Sequence, residues 1–108
     1  LYNVETTPRE FSSMVMLVRD ALLEMKKVLD YTGDVAANYM KMEARCRKIY
    51  VFEERGDEFY REEIRRLFTE KQSAAYMIYW KDILVDVERM LDAAAGAATL
   101  LQKLFVRV

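Results

Sequence analysis

From Val35 to Leu67 the apolar residues return at steps of three and four: Val35, Tyr39, Met42, Cys46, Ile49, then Tyr60, Ile64 and Leu67. Only a helix keeps residues at that spacing on one face; a strand would alternate every second residue. In the middle of the stripe stand Glu53 and Gly56, where two more apolar residues belong. Three glycines and one proline in 108 residues leave little material for turns. At a rise of 1.5 Å per residue this helix is roughly 50 Å long. Such a chain must solve its fold by laying a few long helices side by side.

Two more helices follow from the same reasoning. Thr7-Pro8-Arg9-Glu10 reads as a helix start, with Thr7 as N-cap, Pro8 in the first turn and Glu10 closing a capping box. The first helix spans about 8–30, with the stripe Phe11, Met14, Val15, Val18, Leu22, Met25 and Leu29. Tyr31-Thr32-Gly33 ends it, and Gly33 is placed to adopt the left-handed conformation of a C-terminal cap. Asp34 then caps a second helix over 34–69, and Ser73 caps a third over 74–105. The third buries Tyr76, Trp80, Leu84, Val87, Leu91, Ala94, Ala98, Leu101 and Phe105. Short connections make consecutive helices antiparallel. The expectation is an all-α, antiparallel three-helix bundle, with residues 1–108 forming one domain around one core.

Composition narrows the function classes. The chain has no histidine, which removes His-based catalysis, Cys/His zinc sites and the Glu-x-x-His di-iron motif. A net charge of −1 lacks the basic excess of nucleic-acid-binding domains. The single cysteine, Cys46, allows no internal disulfide and suits a reducing compartment. No signal peptide is visible, and no stretch approaches the ~20 apolar residues of a membrane span. The chain begins at Leu1 rather than Met, which suits a fragment or a processed product.

Against this background two Glu-x-x-x-Asp pairs stand out, Glu53/Asp57 on the second helix and Glu88/Asp92 on the third. Residues four apart share a helix face, so each pair can aim two carboxylates at one point. A carboxylate within a core stripe is costly unless a charge compensates it. Gly56 beside the first pair costs its helix about 1 kcal/mol relative to Ala, which makes sense if a neighbouring helix or an ion approaches there. Counted from the turn near residues 71 and 72, the two pairs lie at matching heights on antiparallel helices. They are therefore expected to face each other. Four oxygen donors with no nitrogen or sulfur suit hard cations: Mg²⁺, Ca²⁺, Mn²⁺ or oxygen-ligated iron. The plain alternative is ion pairing with an arginine of a neighbouring helix, Arg47, Arg55 or Arg89 being the candidates.

The remaining charged features read as surface. Asp82/Asp86 point away from the Trp80/Leu84 side. Glu62 and Glu63 mix with Arg61, Arg65 and Arg66 in the manner of an exposed, salt-bridged face. The basic segment from Lys41 to Lys48 is a solvated face that could also meet an anionic surface. Cys46 falls in the stripe as a small core residue.

The segment from Ile49 to Arg61, followed by Leu67-Phe68, resembles the PhoU-like family of Pit-type transporter accessory proteins, whose members carry a Glu-x-Glu-Ala-Asp-x-x-Tyr-like stretch before a Leu-Phe helix end. Trp80-Lys81-Asp82-Ile83, Glu88-x-x-x-Asp92 and the tail Leu104 to Val108 resemble that family's closing helix. The resemblance implies a PhoU-like helical bundle in which Glu53, Asp57, Glu88 and Asp92 are metal ligands. Iron is the favoured ion, with zinc, manganese, magnesium and calcium as other candidates. It further implies a non-enzymatic regulator of inorganic phosphate uptake, acting on a membrane phosphate transporter of the Pit type at the cytoplasmic face of the membrane. Family members contain two three-helix halves. This chain matches the second, so its partner would be a further copy in a homo-oligomer or the missing N-terminal half. It departs from the family in carrying Gly56 where Ala is usual, and Ala95 or Gly96 where a further acidic residue often follows.

Two other readings remain open at this point. One is a purely structural helical oligomerisation module whose carboxylates are ion-paired. The other is a carboxylate-bridged metalloenzyme, disfavoured by the lack of any nucleophile or base beyond the same carboxylates.

Overall fold

The structure, a computed structural model, describes residues 8–70 and 72–106. It is all-α. Helix α1 (Phe11–Asp30), a single 3₁₀ turn (Tyr31–Asp34), α2 (Val35–Thr69) and α3 (Ala74–Phe105) pack into a rod whose principal extents are 56 × 19 × 15 Å. Contacts across the seams fix the directions. Glu24 of α1 meets Arg45 of α2, while Glu10, just before α1, meets Glu63 near the far end of α2. Tyr50 of α2 reaches Thr99 and Gln102 of α3. Consecutive helices are thus antiparallel, and α1 runs parallel to α3.

Two of the expected caps are present. The Asp34 carboxylate accepts from the Ala37 N–H at 3.1 Å, and the Ser73 hydroxyl accepts from the Tyr76 N–H at 3.1 Å. Both satisfy an N–H that the first helical turn leaves without a partner. The start of α1 differs from expectation. The helix begins at Phe11 rather than Pro8, and Glu10 makes no side-chain cap. Instead its backbone N–H donates to the Glu63 carboxylate at 2.9 Å, so α2 supplies the cap. Thr7 lies outside the described residues. Gly33 is also a correction, since no described glycine has positive φ. The chain tightens from α1 into the 3₁₀ turn without a left-handed residue, and the Thr32 hydroxyl donates to the Leu29 carbonyl at 2.6 Å.

The core follows the α2 and α3 stripes closely. Met42, Cys46 and Ile49 are fully buried, as are Leu84 and Ala98, with Trp80 and Leu91 nearly so. On α1 the buried face is rotated from the expected one: Met14, Leu17, Val18, Ala21 and Val28 are buried, whereas Val15, Leu22 and Leu29 are about half exposed. The apolar arc of α1 is wider than two neighbouring helices can cover. No helix among the described residues is long and apolar enough to cross a membrane.

Candidate metal centre

Gly56 shows how the middle of the rod is assembled. A Cβ built on it would lie 2.2 Å from Cδ2 of Leu91, itself 1 % exposed. The missing side chain is the space that Leu91 occupies, so the close approach inferred at Gly56 is that of α3. One residue beyond Gly56 on α2 is Asp57, and one residue beyond Leu91 on α3 is Asp92. The close seam therefore carries both carboxylate pairs with it.

Across this seam the carboxylates lie near enough to raise the pKa of Glu53 and Glu88. Burial is the first influence on Glu88, followed by a hydrogen bond with Asp57, then the charges of Asp57, Asp92 and Glu53; together they push its pKa up to about 8. Glu53 is raised as well, first by burial, then by the charges of Asp57, Asp92 and Glu54 and by a hydrogen bond with Asp92. Each influence has the same physical origin. A carboxylate removed from water and set beside other carboxylates holds a proton more tightly. One oxygen of Glu88, Oε2, is buried and has no hydrogen-bond partner, which it shares among the described residues only with Nε1 of Trp80.

The positive charge that usually accompanies buried carboxylates lies elsewhere. Arg47 pairs with Glu43 and Arg89 with Asp86, and Arg55 borders an open groove beside Ser12 and Phe59. None of these three suggested partners pairs with the cluster. Among the described residues Asp57 alone has a cation, Arg61 at 3.3 Å, one turn along its own helix and exposed. Asp92 is exposed at the rim, while Glu53, Asp57 and Glu88 are intermediate. Among the described residues no group of three or more Asp, Glu, Cys or His side chains is placed to hold a metal ion. The donor chemistry, oxygen alone, is of the kind that suits a hard cation.

Sequence reasoning misplaced one carboxylate. Glu63, expected on the solvated face, is 1 % exposed. It accepts from the Glu10 N–H and from the Arg66 guanidinium. With Arg9, Arg66, Glu70 and Tyr76 it lines a polar cavity of about 190 Å³ at the end of the rod. Its neighbour Glu62 is on the surface, where hydrogen bonding to Arg65 lowers its pKa. The signal available in the sequence was position: Glu63 lies seven residues past Gly56, on the same face. Glu24 was similarly overlooked; it is 8 % exposed and pairs with Arg45 at 3.2 Å. Cys46 is a core residue as expected. Burial, then the charge of Glu43, raises its pKa and keeps the thiol protonated.

No protein-family model matches this chain, and neither a curated protein nor a solved structure does. The resemblance to the PhoU-like accessory proteins is therefore carried by its quoted motifs alone.

Proposed function

We propose that this chain is a non-enzymatic, cation-binding helical module, and that Glu53, Asp57, Glu88 and Asp92 are the residues that hold the ion. The observation that carries this reading is the state of Glu88: a carboxyl in a close helix seam, with one buried oxygen lacking a partner among the described residues and three carboxyls around it. A chain that needed only packing there would place an apolar residue at that position. A bound cation would supply the missing countercharge. Because no three of them surround one point among the described residues, binding would involve turning them toward a common position. Oxygen donors alone favour hard ions, and the family resemblance favours iron among them.

The finer assignment follows the resemblance. In it the module is a PhoU-like regulator of inorganic phosphate transport, contacting a Pit-type transporter at the cytoplasmic face of the membrane. The competing reading, a structural oligomerisation module without metal, is favoured by one specific observation, that no three carboxylates yet surround one point.

Metal analysis by mass spectrometry separates the two. Protein purified without added metal is compared with the Glu53→Gln/Glu88→Gln double variant. Stoichiometric metal that disappears in the variant is the expected result. Metal-free protein that also fails to take up Fe²⁺, Mn²⁺, Mg²⁺ or Ca²⁺ in a calorimetric titration would leave the structural module.

A further inference from the structure

The unexpected exposure on α1 has a counterpart on α3. Val15, Leu22 and Leu29 recur at seven-residue intervals and are 42–53 % exposed. On α3, Met90, Ala97 and Leu104 recur at the same interval; Met90 and Leu104 are each 53 % exposed. Helix geometry puts both stripes beside one cleft. The α1 stripe lies on the opposite side of its core face from Glu24, which bonds Arg45 of α2. The α3 stripe lies on the opposite side from Thr99, which meets Tyr50 of α2. Each stripe is therefore turned away from α2 and borders the seam between α1 and α3. The described residues are all committed to the three helices and their turns, so none of them covers it. A continuous apolar strip at seven-residue spacing along two parallel helices is the surface another helical pair fits.

The charges beside the strip select the occupant. Arg19 and Lys26 each stand one turn past a stripe residue of α1, and Asp86 stands one turn before Met90. One edge is thus basic and the other acidic. Phe11 packs on Trp80 with ring centroids 5.1 Å apart, which sets the relative height of the parallel helices. At that height Arg19 lies within one turn of Asp86. A surface that is basic along one edge and acidic along the other complements itself through a two-fold axis along the rod. An anionic membrane would instead require basic residues on both edges. The existing partners, Asp20 for Arg19, Asp30 for Lys26 and Arg89 for Asp86, form exposed pairs that exchange at little cost.

We propose that the α1–α3 face is a self-association surface, with α1 of each copy lying against α3 of a second copy. The pairing needs no cation, so it stands or falls separately from the carboxylate site. The test is sedimentation equilibrium of chelator-treated protein across the micromolar range. A closed dimer is expected. Leu22→Glu or Met90→Glu should weaken it by at least about tenfold, and both variants should keep wild-type helicity because the replaced side chains are half exposed. Val51→Glu, on the outer face of α2 and 56 % exposed, should leave association unchanged. Arg19→Glu should weaken the dimer, and adding Asp86→Lys should restore it. A monomer at every concentration would overturn the proposal. So would a mass that climbs without limit, or a loss of association in Val51→Glu equal to that in Leu22→Glu.

Discussion

Glu63 and Glu88 are both glutamates drawn into helix seams, yet their surroundings are opposite. Glu63, near the end of the rod, receives a backbone N–H from the start of α1 and a guanidinium from Arg66. Its charge is answered, and the cap it offers ties α1 to α2. Glu88, in the middle, is surrounded by Asp57, Asp92 and Glu53, and one of its oxygens has no partner. Burial alone thus says little about what a carboxylate does; the sign of its neighbours decides. The first arrangement resolves itself within the chain. The second is left open, and the cation proposed above would close it.

The two glutamates should respond to the same substitution with opposite signs. Glu63→Leu removes the acceptor for the Glu10 N–H and leaves Arg66 only its exposed contact with Glu62. Breaking a buried charge pair by removing one partner costs about 3 kcal/mol. Glu88→Leu in metal-free protein removes a poorly compensated charge and should stabilise by about 1–2 kcal/mol at alkaline pH. Urea unfolding of both variants checks this. If Glu88→Leu destabilises metal-free protein as strongly as Glu63→Leu, the seam is internally balanced and the contrast fails.

The contrast also has a pH signature. Glu88 is raised from 4.5 to about 8. Between those values the folded state holds a proton that the unfolded chain releases. Stability is therefore complete below pH 4.5 on this account and declines as pH rises toward 8, with Glu53 contributing in the same direction. The slope should reach about 1 kcal/mol per pH unit at its steepest. Glu88→Gln should flatten most of this decline, which thermal or urea melts at several pH values would show. A wild-type curve that rises between pH 5 and 8 would remove the distinction between the two glutamates.

Close packing at the acidic seam can be measured with two glycines. Gly96 on α3 has open space where a Cβ would go. Gly96→Ala should therefore gain about 1 kcal/mol from helix propensity alone. Gly56→Ala gains the same propensity but drives its methyl into Leu91, and overpacking of that kind costs about 1–3 kcal/mol. The expected net effect is neutral to about 2 kcal/mol destabilising, partly recovered by Leu91→Val. Equal stabilisation by both substitutions would mean that the helices part freely where the carboxylates meet.

Much of this was legible from spacing. The α2 and α3 stripes, the caps at Asp34 and Ser73, and the facing of Glu53/Asp57 with Glu88/Asp92 all follow from periodicity and from equal distance to one turn. What spacing could not settle was azimuth. The apolar arc of α1 is broad enough to permit several orientations, so Val15, Leu22 and Leu29 read as core although each is about half exposed. Glu63 was misread because its neighbours in sequence, Glu62 and Arg65, are a surface pair, while its partners in space are one turn along α2 and 53 residues away. Rotamers were likewise beyond reach: periodicity brings four carboxyls to one height but does not say whether they surround one point.

The smallest expected effect is also the sharpest check on the central contrast. Among the described residues Arg61 is the one cation bonded to the cluster, at 3.3 Å from Asp57, and its side chain is 67 % exposed. If it compensated the seam as Arg66 compensates Glu63, its removal would leave another buried charge unanswered and cost well over 1 kcal/mol. Exposure argues otherwise, because water already screens this pair and a contact one turn apart on a helix contributes only about 0.3–0.5 kcal/mol. Arg61→Ala should accordingly change urea stability by no more than about 0.5 kcal/mol. The pH at which Glu88 titrates should also hold nearly constant, since Arg61 meets Asp57 on its solvent side while Glu88 meets it across the seam. Carbon-detected NMR of the Glu88 side-chain carboxyl would follow that titration directly. A fall in its midpoint when Arg61 is present, relative to Arg61→Ala, would place the cation inside the seam's electrostatics. The four carboxylates would then need no external ion to balance them.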